Sequence, residues 1–88
     1  LMTLYRIYTE RRDNLATLAG RYFDDGFILI QAEGFWQGEG EFSTIIEVIT
    51  DDDAYSRIIC LARDILATNS QQSVYITRQL VVLTEVTP

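Results

Sequence analysis

The side chains able to do chemistry are few, and their types bound what the chain can do. Thirteen acidic residues face seven basic ones, all seven of them arginine, for a net charge of −6. Lysine and histidine are absent. Their absence removes the usual general base, the commonest metal ligand, the Schiff-base nucleophile and the P-loop lysine. Carboxylate, guanidinium, phenol and one thiol remain. Glu47 stands among Ile45, Ile46, Val48 and Ile49, and a carboxylate held in aliphatic surroundings is a candidate general base. Arg6 and Tyr8 lie two residues apart, on one face of any strand that contains them, where they could orient a substrate beside Glu47.

Other groups deserve a weighed reading. Asp51-Asp52-Asp53 offers oxygen ligands to a hard cation, but lacks the alternating spacing of a calcium loop. Carboxylates ahead of a helix more commonly cap its first turn and favour its dipole; that reading is preferred. Cys60 is alone, so no internal disulfide forms. It falls mid-helix on the polar side, away from the helix N-terminus or cation that would activate a thiol, and reads as an exposed or subunit-contact cysteine. Phe35 and Trp36 sit near a glycine-rich turn, and exposed aromatics there are common interface anchors.

These residues need elements to hold them. Thr3 to Thr9 alternates with aromatic and β-branched residues, the period of a strand. A helix follows from about Asp13 to Phe23, with Leu15, Leu18, Ala19 and Tyr22 on one face and Asp13 or Thr9 as its cap. Asp24-Asp25-Gly26 ends it, with Gly26 placed for a left-handed conformation. Gly26 to Thr50 reads as a β-hairpin turning at Gly38-Glu39-Gly40. In its first arm Ile28, Ile30, Ala32, Gly34 and Trp36 form the cleaner face, expected against the core. Phe27, Leu29, Gln31, Glu33, Phe35 and Gln37 form the other. A second helix spans about Ala54 to Thr68, with Tyr55, Ile58, Ile59, Ala62, Ile65 and Leu66 clustered on one side. Ser73 to Val86 reads as a long last strand, bulging or changing partner near Arg78-Gln79.

The 88 residues make one domain, 1–88, with 48% hydrophobic composition, which excludes disorder as the default. The order β-α-β-β-α-β, with short connections, predicts an α+β ferredoxin-like βαββαβ sandwich. Its four-stranded antiparallel sheet carries two helices on one face. The other face, bearing Arg6, Tyr8, Gln31, Glu33, Glu47 and Arg78, is left to water or a partner. With the first and third strands adjacent, Arg6 and Glu47 fall within pairing reach. A half-apolar open face on so small a domain points to self-association. No apolar run approaches the roughly 20 residues that span a bilayer. Leu1-Met2-Thr3 lacks a basic signal-peptide region, with Met2 the expected natural start. A cytoplasmic chain without membrane contact is the expectation, and the acidic balance argues against direct nucleic-acid binding.

The hairpin and the element order resemble the PII-like and CutA-like proteins, small ferredoxin-fold chains that assemble as trimers. The residues that carry this are Phe35-Trp36-Gln37-Gly38, Gly40-Glu41 and the strand Ile45-Ile46-Glu47-Val48-Ile49. Asp25-Gly26-Phe27 with Gly34-Phe35-Trp36 is also similar to hairpins of uncharacterised bacterial and phage families. The resemblance implies the fold and a homo-oligomer, trimer before dimer. PII-like nucleotide binding uses basic residues and a long effector loop, whereas here the loop is Gly38 to Glu41 and lysine is absent. CutA-like metal binding would call on histidine or cysteine, of which this chain has only the single Cys60.

Three readings of function follow. The first is a homo-oligomeric binding or interaction module with a small-molecule or protein partner. Its ligand or interface candidates are Arg6, Tyr8, Glu33, Phe35, Trp36, Glu47 and Arg78, with no catalytic residue, metal or cofactor. The second is a small enzyme of the dimeric ferredoxin-like barrel type, with Glu47 as base. The third is an acidic phage or mobile-element decoy that occupies a nucleic-acid-binding protein.

Overall fold

A computed structural model of the chain describes residues 1–51 and 53–88. The elements are β1 (Met2–Glu10), α1 (Leu15–Tyr22), β2 (Ile28–Trp36), β3 (Glu39–Thr50), α2 (Tyr55–Asn69) and β4 (Tyr75–Val81). Their four strands form one antiparallel sheet in the order β2-β3-β1-β4. This is the ferredoxin-like βαββαβ sandwich, with α1 and α2 packed on one face. Among the described residues no helix is long and apolar enough to cross a membrane.

Strand periodicity decides which side is dry. On β1 the residues Tyr5, Ile7 and Thr9 face the helices, and on β3 Thr44, Ile46 and Val48 do; all six are buried. Tyr5, Ile7, Ile46 and Val48 join Leu15, Leu18 and Ala19 of α1 and Ile58, Leu61 and Ile65 of α2 in one continuous core. Spacings of three and four residues put each helical set on one stripe. Leu61 joins the α2 stripe, while Tyr55 at its start stays exposed.

The helix ends depart from expectation. Neither Asp13 nor Thr9 caps α1, which begins after Asn14 without a side-chain cap. The Asn14 amide is committed elsewhere. It donates to Asn69 Oδ1 at 2.7 Å and accepts from Asn69 Nδ2 at 3.1 Å, tying the start of α1 to the end of α2. At α2 the cap position is Ala54, with no side-chain cap, so the acidic run does not cap the helix as expected; Asp53, one residue ahead, still accepts the Tyr55 N–H at 3.2 Å and the Tyr5 hydroxyl at 3.4 Å on its Oδ1. The share of that run falling on Asp52 lies outside the described residues.

The hairpin corrects two expectations. Trp36 pairs with Glu39, so the turn is the two-residue Gln37-Gly38, and Gly40 is already in β3. Both turn residues have positive φ, 50° and 83°, as a type I′ turn requires to follow the strands' twist. The faces of β2 are also the reverse of those expected. Leu29 pairs with Ile46, and Ile28 and Ile30 pair with Glu47 and Ile45. Leu29 therefore lies on the helix side, and Ile28 and Ile30 lie on the open side. Both sets of β2 begin apolar, so alternation alone could not choose; the register against the buried Ile46 does. Gln31 is accommodated on the helix side because its Oε1 accepts from the Thr44 hydroxyl at 2.9 Å.

The last strand is shorter than expected, seven residues ending at Val81, and residues 82–88 form no regular structure. It pairs continuously with β1 from Met2↔Val81 to Tyr8↔Tyr75, with no bulge at Arg78-Gln79.

Candidate ligand-binding and interface site

On the open face β1, β3 and β4 set Arg6 opposite both Glu47 and Thr77. Arg6 Nε donates to Glu47 Oε2 at 2.9 Å, and Tyr8 and Thr77 share a hydroxyl hydrogen bond at 3.3 Å. The Glu47 carboxylate, accepting from Arg6, holds the guanidinium pKa above its ordinary value; partial desolvation works against it. Glu47 is thus engaged by a cation and only 15% of its side chain is exposed. Around the pair lie Ile28, Ile30, Ile49 and Tyr75, all exposed. A charged pair ringed by uncovered aliphatic and aromatic side chains can seat an apolar partner surface and fix its register, the charge setting orientation and the rim the contact area.

A second feature follows from unequal lengths. The eight residues of α1 extend about 12 Å, at 1.5 Å each. The twelve of β3 extend about 40 Å. The far end of the β2–β3 ribbon therefore projects past the helices and past the end of β1, as an arm. Glu33 and Phe35 lie on its helix-side face, yet both are exposed, because no helix reaches them. Where β1 leaves the sheet, Arg11 ties it to the arm. Its backbone N–H donates to the Phe42 carbonyl at 3.1 Å, and its Nη2 donates to the Ala32 carbonyl at 3.2 Å. The guanidinium lies 4.9 Å from the Phe42 ring centroid.

The notch between this arm, the end of β1 and the loop after α2 is a depression of about 580 Å³, within the usual range for small-molecule sites. Glu33, Phe35, Trp36 and Tyr8 line it, together with Glu10, Glu41, Tyr75 and Gln71. Gln71 Oε1 accepts from the Thr9 hydroxyl at 3.0 Å and the Glu10 N–H at 3.3 Å. Its buried Nε2 finds no acceptor among the described residues.

The structure thus brings Arg6, Tyr8 and Glu47 together on the open face and Tyr8, Glu33, Phe35 and Trp36 together at the notch. Arg78 belongs with neither. Its place opposite Tyr5 puts it on the helix side, with the guanidinium 4.5 Å from the Tyr55 ring centroid, beside a depression of about 450 Å³ that Asp51 and Asp53 also line. Gln31 and Glu33, expected on the open face, also lie on the helix side. Sequence reasoning missed Glu10, Glu41, Gln71 and Tyr75. No local pattern marks them, since the crossing of β1, β3 and the loop after α2 is what gathers them. Cys60 is exposed.

No protein-family model matches this sequence, and no curated protein matches it. The architecture does match solved structures. The class is a small ferredoxin-like α+β chain of the kind seen in CutA proteins. CutA1 from Oryza sativa superposes with a TM-score of 0.62 at 11% identity, over 96% of this chain and 83% of that one. CutA from Archaeoglobus fulgidus, described as a periplasmic divalent cation tolerance protein, gives 0.59 at 13% identity, over 97% and 88%. CutA from Synechococcus elongatus gives 0.57 at 12%, over 92% and 77%. At these identities the likeness is one of fold.

A divalent-cation role is testable against the donor set. The chain has no histidine, Cys60 stands alone on an exposed helix surface, and no three His, Cys, Asp or Glu side chains converge among the described residues. Among the described residues the converging donors fall short of the about 6–8 oxygens that a hard cation takes and of the about four N/S ligands of a structural zinc.

Proposed function

We propose that the chain is a homo-oligomeric binding module, a trimer before a dimer, that covers its open sheet face between copies and receives a ligand or partner beside the projecting hairpin. The observation that carries this is the open face itself. Ile28, 55% exposed, and Ile30 and Ile49, each 39% exposed, surround the partnered Arg6–Glu47 pair on a sheet whose other face packs its centre against the two helices. Uncovered apolar surface of this kind marks interaction sites, and the oriented ion pair supplies register. The fold shared with CutA proteins supports the same reading, as does the trimeric assembly that the hairpin resemblance implies. A role in cation tolerance, the description given to the archaeal protein of the same fold, belongs to this proposal as binding by an assembled particle, because no three donors converge among the described residues of a single chain.

Light scattering after size exclusion tests it. A species of two or three times the 10.1 kDa chain mass is expected, dissociated by Ile30→Asp on the open face. A monomer at high protein concentration sinks the proposal.

A further inference from the structure

The sheet has two free edges, and they are unlike. β2 closes one side of the order β2-β3-β1-β4 and β4 the other. Each therefore has an outer row of N–H and C=O groups that no strand of the chain pairs. The β2 edge is weakly blunted. It has no proline and no lysine, and Glu33 is its only charge. Its pairing runs without a bulge from Ile28↔Glu47 to Trp36↔Glu39, and Ile28, Phe35 and Trp36 are exposed along it. At the opposite side the sequence outruns its ladder. Alternation predicts a strand from Ser73 to Val86, yet β4 ends at Val81, opposite Met2, where β1 begins. Residues 82–86, Val-Leu-Thr-Glu-Val, keep the composition of a strand, and Val82, Leu83 and Val86 are exposed. They are strand sequence without a partner.

We infer that residues 82–86 of one copy add as a strand to the outer edge of β2 in a second copy. Three observations select that occupant. The segment has no route back to its own β2. That edge lies three strand spacings away across the sheet, roughly 14 Å, and 82–86 holds no glycine, asparagine, aspartate or proline to turn the chain. The lengths fit. Five residues reach about 17 Å, and the nine of β2 present about 30 Å of edge. The symmetry fits as well. The contact joins unlike surfaces, and such a heterologous contact repeated about a rotation axis closes a ring, whereas an isologous one pairs copies in twos. The proposed trimer needs a contact of the first kind. Main-chain hydrogen bonds hold an added strand, and its alternate side chains set the register. This inference rests on reading the chain as a homo-oligomer and names the segment that joins its copies.

The test is sedimentation velocity over a concentration series, comparing the wild type with the chain ending at Val81 and with Leu83→Pro, Thr84→Pro and Thr84→Val. Neighbouring N–H groups of a strand point to opposite sides, so one of the two prolines removes a bond from the added ladder. Valine keeps the strand-forming backbone. Truncation and at least one proline should raise the concentration at which copies separate about tenfold, the loss of several ladder bonds. Thr84→Val should leave it unchanged. Residues 82–88 are exposed and belong to no element, so each variant keeps the fold, which circular dichroism verifies. Amide hydrogen exchange gives a second readout. Alternate N–H groups of 82–86 should be slowed in the assembled wild type and exchange freely in Ile30→Asp. Assembly unmoved by truncation, or free exchange of 82–86 in the assembled protein, would overturn the inference. The same protection in a monomeric variant would overturn it too, by placing the segment's partner in its own chain. A truncated chain that keeps the wild-type mass removes this contact and leaves the homo-oligomer standing, whereas a wild type monomeric at high concentration removes both.

Discussion

On β3, Ile46 and Val48 point to the helices and are sealed from water, whereas Ile45 and Ile49, one residue to either side, face outward with Glu47 between them. The side chains are nearly the same in kind. Their surroundings differ: one set is covered by Leu18, Ile58 and Ile65, the other only by its sheet neighbours and the Arg6–Glu47 pair. A strand that is apolar on both faces suits a sheet buried on both sides. Here one chain supplies a cover for only one side. The contrast teaches that this domain is stabilised by one face, while the other leaves side chains of the same kind uncovered.

The largest expected effect breaks the dry face. Ile46 has no exposed surface, and Ile46→Ala leaves a cavity between sheet and helices, costing about 2–5 kcal/mol of unfolding free energy. Ile30→Ala, on the open face, should change the stability of the dissociated chain by only about 0.5 kcal/mol or less, while weakening association. Urea unfolding at protein concentrations below and above assembly measures both. Equal losses for the two variants in dilute protein would show that the open face is not free in the single chain, and would erase the comparison.

How much of this was legible in the sequence follows the same division. Element order, the helical stripes through Leu15, Leu18 and Ile58, and the adjacency of Arg6 to Glu47 are set by periodicity and topology, and they could be read. The side of β2 could not, because Leu29 and Ile28 compete on equal terms until Leu29 is set against Ile46 by pairing. Once that register is fixed, Gln31 and Glu33 move to the helix side with it. Arg78 follows β4, whose place beside Tyr5 is a long-range fact. The notch was least legible of all. Glu10, Glu41 and Gln71 are ordinary polar residues in sequence, and they share a site only because the ribbon outruns the helices that cover it.

A smaller effect belongs to the turn that ends the arm. Gly38 has φ of 83°, a region where an L-residue costs about 1–2 kcal/mol, and an added Cβ there meets no neighbouring atom. Gly38→Ala should therefore destabilise the chain by about that amount through backbone strain alone. Chemical denaturation measures it. An unchanged midpoint would show that the arm is not part of the cooperative unit, and that the notch it walls is built on a separately fraying element.

The smallest effect lies inside the covered layer and appears only at high pH. The Tyr22 hydroxyl, on α1, donates to the Asp64 carboxylate on α2. That bond, with desolvation and the nearby negative charge behind it, raises the phenol pKa above its ordinary value of 10.0. The folded state therefore keeps a proton that the unfolded chain releases first. The stabilisation is fully present below pH 10.0 and is lost as pH rises through the folded-state value. Tyr22→Phe removes the titrating group along with the bond. Urea midpoints of the two proteins should differ most at neutral pH and converge above pH 10.0. A gap that persists unchanged into strong alkali would assign the loss to packing of the ring rather than to its hydroxyl. Because this contact joins helix to helix and touches nothing on the open face, Tyr22→Phe should leave the mass in light scattering unchanged, whereas Ile30→Asp on the open face should lower it if that face is the one proposed to associate.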